Sequence, residues 1–553
     1  MEKQRYLLFF VLLLCALSMA NALTFRMDRD ACADNGDTPK DSTVYLLHAD
    51  RLSFNQELRP DAQVLNGNVV FRHNKALMYC DSALFFQQSN SFEAFGRVKM
   101  NQGDTLTLTG NYLYYDGNQQ LAEVRENVIL THRKTKLYTD SLNYDRLYGL
   151  GYFMDGGKLV DEDNVLTSDW GEYSPSLHEA LFNFNVKLDN PKFTLTTDTL
   201  HYNTETNIAH FTGPSNVDSD NNHIYSESGY YNTKTEAANL VQRSVLVNPE
   251  RRLVGDSVVY NKQTGEGEGF GNVVITNIKD QNQLIGDYCY YNDSTGSALA
   301  TGRAVAKDFS QENADTLFMH ADTLRMYSYN LETDSLYRVI HAYHKGRIFR
   351  EDIQAVSDSI VYNQQDSCFT LYYSPVVWNQ NMQLSGERIM VYSKDSTISW
   401  AHVQDQAMSI EQVDSVHYNQ ISGKDIKAYF DDEGELYQTN VVGNVEFVYY
   451  PMEKDSTLTM MHTGQDSEMR FYLKKRKLEK IWGGSGFSAT GYPIEMIPAD
   501  KLKLKGFLWL DYIRPKTKEE IFEWVDRKSG DVLKETPKRK TPLVDLNKLK
   551  SKK

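Results

Sequence analysis

The chain has 553 residues, 41% hydrophobic and 12% aromatic, and carries a formal net charge of −15. One compact core rarely grows to this length, whereas a stacked array extends repeat by repeat. The aromatic content excludes a disordered chain, and the acidic balance excludes a general nucleic-acid binder or a protein spread over an anionic membrane surface.

At the start, Lys3 and Arg5 precede an apolar run over residues 6–16, and Ala20-Asn21-Ala22 is a small-x-small site. This succession predicts a secretory signal peptide over residues 1–22, cut after Ala22. The run is shorter than the roughly 20 apolar residues of a spanning helix. Residues 23–43 read as a polar leader.

From residue 44 a phrase recurs: an acidic or amide residue, then apolar residues two and four positions on. It is met at Asp50, Asp81, Asn111, Asp140, Asp169, Asp198, Glu227, Asp256 and Asp287, with steps from Asp81 of 30, 29, 29, 29, 29, 29 and 31 residues. Such a period is the signature of a stacked repeat. Each phrase is expected to open a strand on its acidic residue. Residues two apart in a strand share a face. The expected inward face therefore holds Leu52, Phe54, Phe85, Leu113, Tyr115, Leu142, Tyr144, Leu200, Tyr202, Val258, Tyr260 and Tyr291. A second run lies between the anchors, as in Gly271-Asn272-Val273-Val274-Ile275. Each repeat of about 30 residues thus reads as two strands joined by polar turns.

Past residue 310 the steps lengthen to 35 and 36 residues, to Asp322 and Asp358, and Ile360 and Tyr362 continue the inward row. Residues 44–310 are one regular set of repeats and residues 311–500 a less regular continuation. Residues 501–553 form a terminal segment, in which residues 516–528 suggest a short amphipathic helix bearing Ile521, Phe522, Trp524 and Val525, followed by a basic tail. No stretch keeps a helical period, so the class is all-β.

Chemistry is sparse. Cys32, Cys80, Cys289 and Cys368 match neither a zinc module nor a dense disulfide framework, and read as small buried hydrophobes; an oxidising compartment also permits one bridge. His320, His341 and His344 lack a third ligand of clear type and read as exposed strand or loop histidines. The repeated Asp residues do not follow the glycine-rich calcium pattern and are expected to make local turn bonds. No nucleophile motif stands out. Neither an enzyme nor a cofactor is expected.

The paired phrases Gly255-Asp256-Ser257-Val258-Val259-Tyr260-Asn261 and Gly271-Asn272-Val273-Val274-Ile275 resemble the strand motifs of the OstA-like family, the lipopolysaccharide-transport fold of LptA, LptC and the N-terminal part of LptD. The resemblance covers residues 44 to about 450, and residues 505–515 are similar to the end of long Bacteroidetes-type OstA-like proteins. It implies an extended antiparallel β-jellyroll whose apolar groove holds lipid A acyl chains, with the inward residues named above, Ile360 and Tyr362 included, as the lipid-binding row. It further implies a periplasmic carrier moving glycolipid toward the outer membrane. Its partners would be lipopolysaccharide or a related glycolipid, and related jellyrolls of a transport bridge and outer-membrane translocon joined through edge strands, with no nucleic acid. Two other classes stay open: a secreted β-solenoid that binds or degrades polysaccharide, and a ligand-free β-repeat scaffold or adhesin.

Overall fold

The computed structural model describes residues 43–531, apart from 56, 58, 220, 310–314, 332, 395–396, 453–456 and 475–476. The expected signal peptide and its Ala22 site, the expected leader, Cys32 and the basic tail lie outside the described residues. Those described form antiparallel strands with four single-turn 3-10 segments. The fold is all-β, as the alternation predicts, and its antiparallel strands form the jellyroll that the resemblance implies. No helix among the described residues is long and apolar enough to cross a membrane.

The chain divides into two compact units: residues up to Val124 with Asp145–Leu147, and Arg125–Tyr144 with Tyr148 onward. In the first, strands Gln63–His73, Ala76–Phe86, Ser91–Gln102 and Leu106–Asp116 pair in chain order. Phe71 stacks on Phe92 with centroids 4.1 Å apart, and Phe92 lies 5.4 Å from Tyr115. In the second, strands of ten to twelve residues from Glu179–Asn190 to Asn282–Asn292 again pair with their neighbours in the chain.

Asp81, Asp140, Asp198, Glu227, Asp256 and Asp287 sit in the middle of long strands, not at their starts, while Asp169 and Glu387 fall between two short strands. Opposite Asp256 the ladder breaks. Ser257 pairs with Phe270 and Val254 with Val274, so Gly271, Asn272 and Val273 face only Gly255 and Asp256. Gly271 and Asn272 are left-handed, with φ of 70° and 49°. A β-bulge with such residues bends its strand sharply. The Asp256 carboxylate accepts a 3.0 Å bond from the Asn272 side chain and lies where a Cβ on residue 271 would stand, 2.3 Å away. The same device recurs at Asp81 with Arg97, Asp169 with Asn185, Glu227 with Arg243 and Glu387 with Gln406. The repeated acid therefore caps the corner of a neighbouring strand, where the sequence suggested a bond within its own turn. It serves the bend. No group of three or more metal-ligating side chains occurs among the described residues.

The terminal segment differs from expectation. The anticipated helix over residues 516–528 is one 3-10 turn, Glu520–Phe522, in otherwise irregular chain. Residues 494–531 run back over the outer face of the second unit as a strap. Val356, Trp378 and Gln383 alternate with the inward Ala355, Val377 and Leu384, and the strap covers them. Leu510 and Ile513 pack on Val356, Val376 and Trp378. Two glutamines hold the strap's backbone at both polar groups. Gln383 donates to Leu508 O at 2.7 Å and accepts from Leu510 N at 2.8 Å; Gln420 donates to Leu502 O and accepts from Leu504 N, both at 2.8 Å.

Candidate functional site

Because each long strand bends at its corner, its two halves face each other across an interior that alternation fills with apolar side chains. The expected inward row is placed there almost throughout. Leu142, Leu200, Val258 and Ile360 are fully buried, and Phe85, Leu113, Tyr115, Tyr144, Tyr202, Tyr260 and Tyr291 are at most 8% exposed. Three residues depart. Leu52 and Phe54 are 52% and 54% exposed, because the strand Arg51–Ser53 is a three-residue edge that does not reach into the core. Tyr362 is half-buried. Tyr173 and Tyr231 belong to the row and were missed, although each falls four residues after an anchor and 29 from the next tyrosine.

The tyrosines sit at strand ends, so their hydroxyls meet the hairpins. In the first unit the Tyr115 hydroxyl lies 2.6 Å from His73 Nδ1 and accepts from Arg146. In the second, Tyr202 donates to Asp161 at 2.9 Å and accepts from Asn164 at 2.9 Å. Burial, with Asp161 beside it, pushes the Tyr202 hydroxyl well above the usual phenol range. A buried, bonded, neutral phenol joins an apolar interior to a polar boundary.

Hairpins of the second unit alternate between two rims. The first carries the turns after Asp161, Asn190, Val247 and Asn277, and the second those after Asn203, Asn232, Asn261 and Asn292. Glu236 on the second rim is held by Lys192 from the first at 3.1 Å and by Lys262. Burial alone would raise its carboxyl, but the two lysines outweigh that and leave it below the usual range. An apolar groove open along one edge is thus not what the structure presents here: the rims meet, and the lining is covered.

Toward the end of the unit the packing loosens. Ile353, Met382, Ile398 and Phe430 are half-buried and line a small apolar cavity of about 20 Å³ with Val377, Leu384, Val391 and Ala401. Leu436 and Leu473 edge a cleft of about 470 Å³ whose rim holds Asp431, Glu433 and Glu435. The buried thiols Cys289 and Cys80 are pushed up to about 12 by burial, and Cys368 is raised for the same reason; all three are free, as small hydrophobes. His320 is buried, not exposed: its Nδ1 lies 2.7 Å from the Ala304 carbonyl oxygen, under the strap's Phe522.

The long inward row, its phenol boundary and the bridged rims are the distinguishing chemistry of this arrangement.

Residues 41–198 and 190–256 match the OstA-like protein family. No curated protein sequence matches the chain. Among solved structures, a similar chain is LptH of Pseudomonas aeruginosa, described as the LptA-homologous periplasmic component of the conserved lipopolysaccharide transport device. It is 18% identical, with a TM-score of 0.19, over 22% of this chain and 81% of that one. Over residues 41–256, less than half of its length, the chain is similar to the OstA-like protein family.

Proposed function

We propose that the chain is a periplasmic carrier of lipopolysaccharide-type glycolipid, holding acyl chains against the inward row while the sugars stay outside. The observation that carries this reading is the row itself. Apolar and phenolic residues repeat at a fixed period, giving many similar sites in line instead of one deep pocket. Each methylene moved from water to such a lining contributes about 0.8 kcal/mol, so a few acyl chains are held without any charge pair. In this reading the chain follows its signal peptide into the periplasm, carries glycolipid toward the outer membrane, meets related jellyrolls through its edge strands, and performs no catalysis.

The test is site-specific photo-crosslinking. Tyr202 and Tyr260 face inward, while the adjacent His201 and Val259 are exposed. Crosslinkers at the tyrosines are expected to capture lipopolysaccharide in cells, and those at His201 and Val259 to capture far less. Equal labelling of both faces would sink the reading.

The covered interior favours a second reading, a β-repeat scaffold that binds nothing. Extraction of the purified protein with organic solvent separates the two, since a scaffold yields no bound lipid.

A further inference from the structure

The rims of the second unit differ in how they are joined along themselves and to each other. Along the second rim, hairpins are linked by backbone bonds, Thr233 N to Asn207 O and Asp293 N to Gly265 O; along the first, Ile278 N bonds Glu250 O. Across the seam the contacts are side chain to side chain. Lys192 reaches Glu236 at 3.1 Å, Lys234 reaches Glu162 at 3.2 Å, Arg251 pairs with Asp293, and Arg338 donates to Asp280 at 2.6 Å. Tyr202 donating to Asp161 lies beneath them. Below the tyrosines that line this seam, two residues from the corner anchors, Leu200, Val258 and Cys289 are at 0% exposure. A lining so well covered has to be uncovered before it takes an acyl chain.

The corner supplies the hinge. In alternate strands, such as Ala237–Val247 and Glu266–Asn277, two left-handed residues and a bulge join the two halves, and bulges bend without breaking the flanking ladders. The seam supplies the weak line. Each pair keeps at least one partner 30% or more exposed, so water reaches it; a pair of that kind shifts an equilibrium by about two- to fivefold, and salt screens it. A row of separate pairs opens one after another, while the ladders along each half stay intact.

We propose that this seam is a side gate: the rims part about the corner to admit an acyl chain, and the cross-rim ion pairs hold the interior shut. The inference rests on the lipid-carrying reading, but its test does not need lipid. Cys289 is the natural reporter. It lies on the inward face two residues before Tyr291, whose ring is 5.5 Å from the Arg251 guanidinium. Cys80, in the first unit, is the control.

The experiment compares the wild-type chain with one carrying Arg251→Gln, Asp293→Asn, Arg338→Gln and Asp280→Asn. N-ethylmaleimide alkylation of each cysteine is followed by peptide mass spectrometry. In low salt the variant is expected to alkylate at Cys289 roughly tenfold faster, two pairs having been removed, with Cys80 unchanged. Sodium chloride at about 1 M should speed the wild type toward the variant and change the variant little. Lipid A micelles, added separately, should load the variant faster. An unchanged Cys289 rate overturns the gate, and so does equal acceleration of both cysteines, which would make the pairs general braces of the fold. If Cys289 is freed but lipid A loads neither protein, the carrier reading fails and the gate stands.

Discussion

His320 is 6% exposed, and its ring meets Phe522 edge-on with centroids 5.0 Å apart. Burial, with Arg347 close by, lowers its pKa to about 4. The unfolded chain takes up this proton near 6.5, so between about 6.5 and 4 the unfolded state binds more protons than the folded one. Stability linked to His320 is therefore full above pH 6.5 and lost as pH falls toward 4, by about 2 kcal/mol between pH 7.5 and pH 5. Urea unfolding of wild type and His320→Gln at both pH values should show that extra loss in the wild type alone; the same pH slope in both would contradict it. In the sequence His320 looks like a surface histidine because what buries it, Phe522, lies far along the chain. By contrast, Tyr202 and Val258 were legible as inward residues, since strand alternation is a local property. Leu52 and Phe54 show its limit. They keep the alternation, but burial also needs a strand long enough to reach the core.

Among the elements, the long strands follow from the sequence and the strap does not. The strands are announced by a period of two within a period of 29. The strap has no period, and its hold on the sheet comes from single residues, Gln383 and Gln420, which look like ordinary outward strand glutamines. Each makes both of its amide bonds to strap backbone at 2.7–2.8 Å, and each is fully buried. Replacing either by Ala leaves one buried N–H and one buried C=O unmet, a cost of about 1–3 kcal/mol per group. Gln383→Ala is expected to release the strap over Trp378, so hydrogen exchange should rise at residues 508–513 and in strand Val376–Asn379 while strand Phe193–Asn203 stays protected. Exchange unchanged at both places would mean that the apolar contacts of Leu510 and Ile513 hold the strap unaided. The amphipathic pattern around Trp524 was real but ambiguous. Its apolar residues are used against Arg347 and the strand Leu317–His320, without an α-helix to present them.

At the scale of the whole molecule, a stack of repeats makes a demand that a globule does not. Every repeat must deliver its strand to the next one in register and with the same face inward. The step of 29 residues does this, because position i and position i+29 occupy equivalent places relative to the corner. Removing residues 227–255 joins Ser226 to Asp256 and fuses the first half of strand His223–Asn232 to the second half of Arg251–Asn261. The fused strand keeps Ile224, Val258 and Tyr260 inward and Asp256 at the corner. Its first half still matches Ile208–Ser219 and its second half Glu266–Asn277, since each half retains one native neighbour. Removing residues 227–254 instead leaves one extra residue, Gly255, at the join. A one-residue slip turns every side chain of the second half to the other face. Val258 and Tyr260 would then point to solvent, and Val259 into the interior. In a repeat array stability is roughly a sum of repeats and their interfaces, so losing one well-formed repeat is tolerable and mispairing one is not. The 29-residue deletion is accordingly expected to keep the far-ultraviolet signal per residue and a cooperative melt, and the 28-residue deletion to lose both or to be degraded in cells. The measurement is circular dichroism against temperature on the two purified deletions. Equal damage from both would show that the repeats depend on contacts beyond their neighbours, as the bonds of Glu236 to Lys192 and Lys262, lost in either deletion, give reason to check.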